Sequence, residues 1–203
     1  MEGTSYLRTP EAMLPLHENP MVKDTPQISK DYLADFEAEA LPYSNDLYRT
    51  ALRLLRQPAK ASDAVQETYL LAWKSFDRYQ RGTNCKAWLF RILFNVVRHE
   101  RRAWFKWITG ENEDLSQLDR VAPQPISTSL SDETILAALD GLACQFREVV
   151  LLVDVQEFSY KEVSEILHIP MGTVMSRLSR ARTLLRIELM SVAASYGISN
   201  AVC

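Results

Sequence analysis

The sequence predicts an all-α protein of two small helical domains joined by a flexible linker, and three observations carry the prediction. Apolar residues recur at helical spacing over residues 31–106 and again over 132–191. No strand-like alternation persists anywhere in the chain. Between the two periodic stretches, residues 109–131 collect Gly110, Glu111, Glu113, Asp114, Pro123, Pro125 and a Ser/Thr run, a composition that favours a tether over a packed element. A length of 203 residues suits two small domains, and 47% hydrophobic with 24% charged residues places the chain among globular proteins, away from disordered or fibrous ones.

In chain order, residues 1–28 hold four of the nine prolines (Pro10, Pro15, Pro20, Pro26) without helical periodicity and read as a flexible leader. They have neither the basic start nor the apolar core of a secretory signal, and no apolar run reaches the length of a membrane span, so a cytoplasmic protein without membrane insertion is expected. Residues 29–107 form the first domain, with breaks expected near 41–43, 57–60 and 80–84. Within it, a helix over 62–75 gathers Asp63, Gln66 and Glu67 on one flank. Such a patch is either a helix start favoured by the dipole or a protein-docking site, and position alone does not decide.

Over residues 86–102, Leu89, Ile92, Leu93, Val96 and Val97 form an apolar stripe, while Arg91, Asn95, Arg98 and Arg102 sit at offsets 0, 4, 7 and 11 on another face. Ahead of that helix, Phe76, Tyr79 and Trp88 flank the polar turn Arg81-Gly82-Thr83-Asn84-Cys85-Lys86. Aromatics beside a polar Gly-containing loop suit single-stranded nucleic acid, whose unstacked bases lie on rings. Trp73 and Trp88 are expected to be packing residues. Trp104, Phe105 and Trp107 are divided between capping the domain and gripping a partner.

The linker covers 108–131, the second domain 132–191 and a tail 192–203. The clearest local signal is Ser159-Tyr160-Lys161-Glu162, a capping box that opens a short helix with Val163, Ile166 and Leu167 inward. His168-Ile169-Pro170-Met171-Gly172 interrupts it, because proline donates no hydrogen bond and disfavours helix in the residue before it. A second helix then begins near Gly172, with Val174, Leu178, Ala181 and Leu185 on one face and Thr173, Ser176, Arg177 and Arg180 on another. Arg182 and Arg186 add charge, and no acid occurs from Gly172 to Ile187. Two short helices with a tight turn, the second basic on its outer face, describe a helix-turn-helix that reads the major groove.

The formal net charge of −3 conceals strong segregation. Residues 1–48 carry −6, residues 49–107 carry +9, residues 108–158 carry −8 and residues 159–203 carry +2. A basic block between acidic ones suits a phosphate-facing surface, because each neutralised phosphate releases counterions. The alternative is a solvated Arg-rich face. Cys85, Cys144 and Cys203 lie 59 residues apart each time, without CxxC or nearby His, so no zinc site or disulfide framework is expected. Paired acid/base groups, phosphate loops and metal-spaced sets are missing from the sequence, so no catalytic residue, metal or cofactor is predicted.

Three groups of strings, in this order, carry a resemblance. Asp63-Ala64-Val65-Gln66-Glu67-Thr68-Tyr69 comes first, then Lys86-Ala87-Trp88-Leu89-Phe90-Arg91-Ile92. Phe146-Arg147-Glu148-Val149, Ser159-Tyr160-Lys161-Glu162 and Gly172-Thr173-Val174-Met175-Ser176-Arg177-Leu178 follow. Together they resemble the core-binding helix, the promoter-melting helix and the second DNA-binding domain of the small bacterial RNA polymerase sigma factors of the extracytoplasmic-function (ECF) type.

The resemblance implies a dissociable subunit of core RNA polymerase, contacting its β and β′ subunits, that reads the minus-35 element as duplex and the minus-10 element as melted strand. It implies that Asp63, Gln66 and Glu67 dock on the polymerase, and that Gly82, Thr83, Asn84, Cys85 and Lys86 hold a flipped minus-10 base with Asn95, Arg98, His99 and Arg102 nearby. Thr173, Met175, Ser176, Arg177, Arg180 and Arg182 would meet the minus-35 groove, and the acidic linker would thread towards the RNA exit path. An anti-sigma partner is also implied. Gly82-Thr83-Asn84 and Gly172-Thr173-Val174-Met175-Ser176-Arg177 look most like the branch that answers thiol-oxidative stress. Two departures stand out: the family often has Leu-Pro where this chain has Leu142-Ala143, and often has a glycine before the aromatic that here follows Gln156-Glu157. The competing reading is a helix-turn-helix regulator with a helical N-terminal sensor, which leaves the +9 charge of residues 49–107 without a role.

Overall fold

The computed structural model describes residues 30–109 and 132–195. These form α1 (Lys30–Ala40), α2 (Ser44–Leu55), α3 (Pro58–Ser75), α4 (Cys85–Thr109), α5 (Asp132–Gly141), α6 (Cys144–Val150), α7 (Tyr160–Leu167) and α8 (Met171–Ser195). Short 3-10 turns occupy Leu41–Tyr43 and Phe76–Arg78, and a π-helical turn at Leu151–Val155 prolongs α6. No strand occurs among the described residues, in agreement with the all-α prediction. None of their helices is long and apolar enough to cross a membrane. The leader, nearly all of the acidic linker and the end of the tail lie outside the described residues, as do the side chains of Trp104, Phe105 and Trp107.

The breaks at 41–43 and 80–84 fall where helical periodicity lapses, but the one expected at 57–60 is narrower. Arg56 ends α2 in the left-handed conformation (φ 58°), and Pro58 then starts α3. Proline suits the first position of a helix, where its missing N–H would have had no partner. The predicted capping box is formed: Glu162 N–H donates to Ser159 Oγ (3.3 Å) and Ser159 N–H to Glu162 Oε2 (2.9 Å).

In the first domain α2 packs on α3 and α3 on α4. Ala61, Ala64, Thr68 and Ala72 of α3 are buried, and small residues let helix axes approach closely. Leu89, Phe90, Leu93, Phe94 and Val97 of α4 are buried with them. Tyr32 and Phe36 of α1 meet Trp73 and Phe76 edge-on at 5.0–5.3 Å between centroids, while Trp88 stacks on Tyr79 at 4.8 Å. Trp73 and Trp88 are therefore packing residues, as expected. In the second domain Val149, Leu152, Val163, Ile166, Val174, Leu178 and Ala181 form the core between α6, α7 and α8.

Two domains hanging from a tether describes the connectivity and misses the packing. α4 lies against α7 and α2 touches α6, so the buried residues form one continuous cluster. Phe90 meets Phe158 edge-on at 5.1 Å across the junction.

Arg147 is the polar centre of this junction. Only 5% exposed, it donates through Nε to Leu139 O (3.1 Å), through Nη2 to Asp140 O (2.7 Å) and Leu142 O (2.6 Å), and through Nη1 to Arg53 O on α2 (3.2 Å). Those carbonyls are the unpaired ends of α5 and α2, where helix dipoles concentrate negative charge. Replacing Arg147 with Met should destabilise the protein by at least about 3 kcal/mol, because buried acceptors left without donors cost about 1–3 kcal/mol each. Urea unfolding of the two proteins measures this.

The departure at Glu157 also acquires a physical meaning. Its backbone is left-handed (φ 61°), a conformation that glycine adopts without strain. Glu157→Gly should raise stability by roughly 0.5–1 kcal/mol, the left-handed penalty removed less the extra entropy of glycine in the unfolded chain. The shift in the urea midpoint gives the answer.

Candidate nucleic-acid interface

Helix α8 presents its predicted face outward at most positions. Met175, Ser176 and Arg180 are exposed, Thr173 and Arg177 are half-buried, and Val174, Leu178 and Ala181 hold the helix to its domain. Arg182 is exposed but engaged: Nη2 and Nε donate to the two carboxylate oxygens of Asp154 at 2.6 and 3.3 Å. This two-pronged pairing raises the arginine's pKa further. Beside it Tyr160, Met175, Leu178, Ser179, Thr183 and Arg186 line an open groove along α8.

The predicted polar loop is ordered by local bonds. Gly82 takes a positive φ of 82°, Thr83 N–H and Oγ1 both donate to Gln80 O, and Tyr79 Oη donates to Thr83 O (2.9 Å). Asn84 caps α4 by accepting from Ala87 N–H at 3.0 Å. Cys85 is a correction to the expected set: it is buried, and burial, then the nearby Glu39 charge, push its thiol up to about 11. A deeply buried, protonated thiol offers a DNA strand neither surface nor charge. Phe76 and Tyr79 are likewise buried and stacked in the core, so their rings are not available to unstacked bases.

The basic face predicted on α4 divides in two. Arg91, Asn95, His99 and Arg102 are exposed. Arg98 is half-buried and donates to Leu167 O at 3.2 Å, at the end of α7. Lys86 shows the same inward turn: its Nζ donates to Gln156 O (3.2 Å), pairs with Asp46 (3.4 Å) and lies 5.4 Å from the Phe158 ring centroid. Asn84 Nδ2 donates to Glu162 Oε1 at 2.6 Å.

Sequence reasoning missed Arg101, which reaches Glu148 at 3.7 Å and donates to Cys144 Sγ. Burial pushes the Glu148 carboxyl up, opposed by the Cys144 hydrogen bond and the charges of Arg101, Arg98 and Arg177. The signal was present in the spacing of Lys86, Phe90, Phe94, Arg98 and Arg101, whose 3- and 4-residue steps trace a second inward stripe.

On α3, Asp63, Gln66 and Glu67 are exposed together, and among the described residues no ion pair takes up either acid. Leu70 and Leu71, 45% and 38% exposed, continue the patch along the helix and were also missed. Solvent-facing leucines beside acids suit a protein partner better than a merely solvated helix start. Among the described residues no group of three or more His, Cys, Asp or Glu could hold a metal.

Comparison with known proteins bears on both faces. The family model for sigma-70 region 2 matches residues 41–107, and that for sigma-70 region 4 matches residues 132–185. The ECF RNA polymerase sigma factor EcfG of Rhodopseudomonas palustris is 37% identical over 156 residues, which cover 76% of this chain and 83% of the relative. SigW of Bacillus subtilis, also an ECF RNA polymerase sigma factor, is 31% identical over 158 residues, 72% of this chain and 84% of the relative. Among solved structures, the sigma factor RpoE in complex with the anti-sigma factor NepR, from Bartonella quintana, superimposes with a TM-score of 0.64 at 32% identity. That match covers 77% of this chain and 97% of the other. These matches speak for the family and not for its thiol-oxidative-stress branch. The sensor-domain alternative loses its ground, since residues 41–107 match a sigma-factor region in their own right. The chain belongs to the extracytoplasmic-function sigma factors of the sigma-70 family.

Proposed function

We infer that this chain combines with core RNA polymerase and directs promoter-specific initiation of transcription, with each helical domain taking one promoter element. The observation that carries the reading is the presence, in one chain, of both sigma-70 regions, each with an exposed cationic helix face, on α4 and on α8. Residues 132–191 would read the minus-35 duplex. The exposed end of α8 fits the major groove, Arg180 can donate a bidentate pair to a guanine edge, and Ser176 can donate to phosphate. Residues 29–107 would hold the melted minus-10 strand, with Asn95, His99 and Arg102 along α4 and the exposed loop residues Gly82, Thr83 and Asn84 receiving an extruded base. The acidic linker would run between them inside the polymerase.

The α3 patch is the proposed polymerase contact. Asp63, Gln66 and Glu67 would meet cationic and polar groups on the β and β′ subunits, and Leu70 and Leu71 would supply the apolar area that an anchor requires. An anti-sigma factor is the proposed restraint, supported by the likeness to a sigma factor captured with such a partner. The chain acts by binding, without catalysis of its own, and works where the polymerase is, in the cytoplasm.

Run-off transcription with purified core polymerase, with and without this protein, tests the reading on a set of candidate promoters; transcripts must depend on its addition. Arg180→Ala should weaken holoenzyme binding to a responsive promoter by roughly tenfold, the size of one lost guanine contact, while leaving assembly with core unchanged. Filter binding and co-elution measure the two quantities. Asp63→Lys with Glu67→Lys should do the reverse: the folded variant fails to co-elute with core polymerase and gives no transcript.

A further inference from the structure

Arg182 lies on α8, yet a carboxylate of its own domain holds it. Nη2 and Nε donate to the two oxygens of Asp154 at 2.6 and 3.3 Å, the fork that planar guanidinium and carboxylate groups fit best. The π-helical turn Leu151–Val155 keeps Leu151 and Leu152 in the core and turns Asp154 out to meet α8. Along α8, Met175, Ser179, Arg182 and Arg186 follow the offsets 0, 4, 7 and 11 and form one exposed stripe. With Tyr160, from the first turn of α7, they line an open groove, and Ser176 and Arg180 occupy the adjoining stripe. In a helix-turn-helix the first helix crosses the DNA backbone while the second enters the major groove, so the stripe that α8 shares with the start of α7 lies beside phosphates rather than base edges.

We propose that Asp154 is a positioning residue for duplex binding: it fixes Arg182 by one edge of the guanidinium, so that the other edge meets a DNA phosphate in the groove between Tyr160 and Arg186. The inference rests on the reading of α8 as the duplex-reading helix and goes beyond it, giving Arg182 a backbone contact and Asp154 a part in making it. A guanidinium has five N–H donors, and a fork through Nε and Nη2 uses two of them on one edge, with Nη1 on the other. The arginine side chain is 53% exposed and that of Asp154 32%, so the cation is the more accessible member of the pair. A long side chain loses rotamer freedom when it binds, and an arginine already held in a fork loses less. Charge alone predicts the opposite role for Asp154. An anion near a phosphate repels it, so that removing the carboxylate should strengthen binding. The sign of the change therefore separates positioning from plain electrostatics.

The test uses holoenzyme assembled from core polymerase and the full chain, bound in the cold, before strand opening, to a duplex promoter that responds in run-off transcription. Asp154→Ala should weaken binding roughly two- to tenfold, the scale of ordering one long side chain, and keep the parent's dependence on salt, because Arg182 still reaches the phosphate. Asp154→Glu, which preserves the carboxylate, should recover most of the loss. Arg182→Gln should weaken binding at least as much, equally on the responsive promoter and on one with an altered minus-35 element, and lower the slope of log K against log salt by about 1. The double variant Asp154→Ala with Arg182→Gln should bind no more weakly than Arg182→Gln alone. Circular dichroism and thermal melting record what the fork contributes to the fold, a quantity that leaves the salt slope untouched. Binding by Asp154→Ala that equals or exceeds the parent's overturns the inference, as does an Arg182→Gln variant with the parental slope or a loss confined to the responsive promoter. Arg180→Ala, measured alongside, separates the two levels: if it weakens binding while those results fail, the duplex-reading role of α8 stands without the inference. If it binds like the parent, or no promoter responds, the reading of α8 falls and takes the inference with it.

Discussion

The closed shape of this protein depends on one buried guanidinium satisfied by backbone carbonyls. Burying a charge is costly unless every polar atom of the ion finds a partner. Arg147 meets that condition at the helix ends of α5 and α2, where carbonyls lack partners and carry the negative pole of the dipole. A single residue therefore caps one helix and binds it to a helix that lies far away in sequence. The latch of Arg53 and Arg56 on Asp140 forms around it, and the apolar contact of Phe90 with Phe158 closes beside it.

Helix α4 has to serve several neighbours at once. Its Leu89, Phe90, Leu93 and Phe94 are buried in the core, Arg91, Asn95, His99 and Arg102 face solvent, and Lys86, Arg98 and Arg101 turn to the second domain. The three that turn to the second domain are long and cationic, able to lay an apolar stem on the junction while the charged head finds an oxygen. The same property suits them to nucleic acid. The charge segregation is used once in this way, where Arg101 of the +9 block meets Glu148 of the acidic stretch at 3.7 Å.

Helix α8 is freer. Its outer face carries Met175, Ser176 and Arg180 into solvent, and Arg182 is tied there to Asp154. The two cationic faces thus differ in state within one structure: that of α8 is largely open, and that of α4 is partly engaged by the second domain.

Local chemistry wrote most of the fold into the sequence. The capping box at Ser159 and Glu162, the break at Pro170, the apolar offsets of Val174, Leu178 and Ala181, and the packing roles of Trp73 and Trp88 were all legible, because each depends on neighbours within a few residues. The Asp63, Gln66 and Glu67 patch and the cationic face of α8 were legible for the same reason. Tertiary structure alone decided which residues remained on the surface and which were claimed from afar. Cys85 went inward, Arg98 found Leu167 O, Asn84 found Glu162, and Arg147 found Arg53 O, partners separated by 69 to 94 residues where the bonds cross the domains. Helical periodicity fixes the direction of a side chain about its own axis and carries no information on which distant helix will lie in that direction, so the faces could be read from the sequence while their occupants could not.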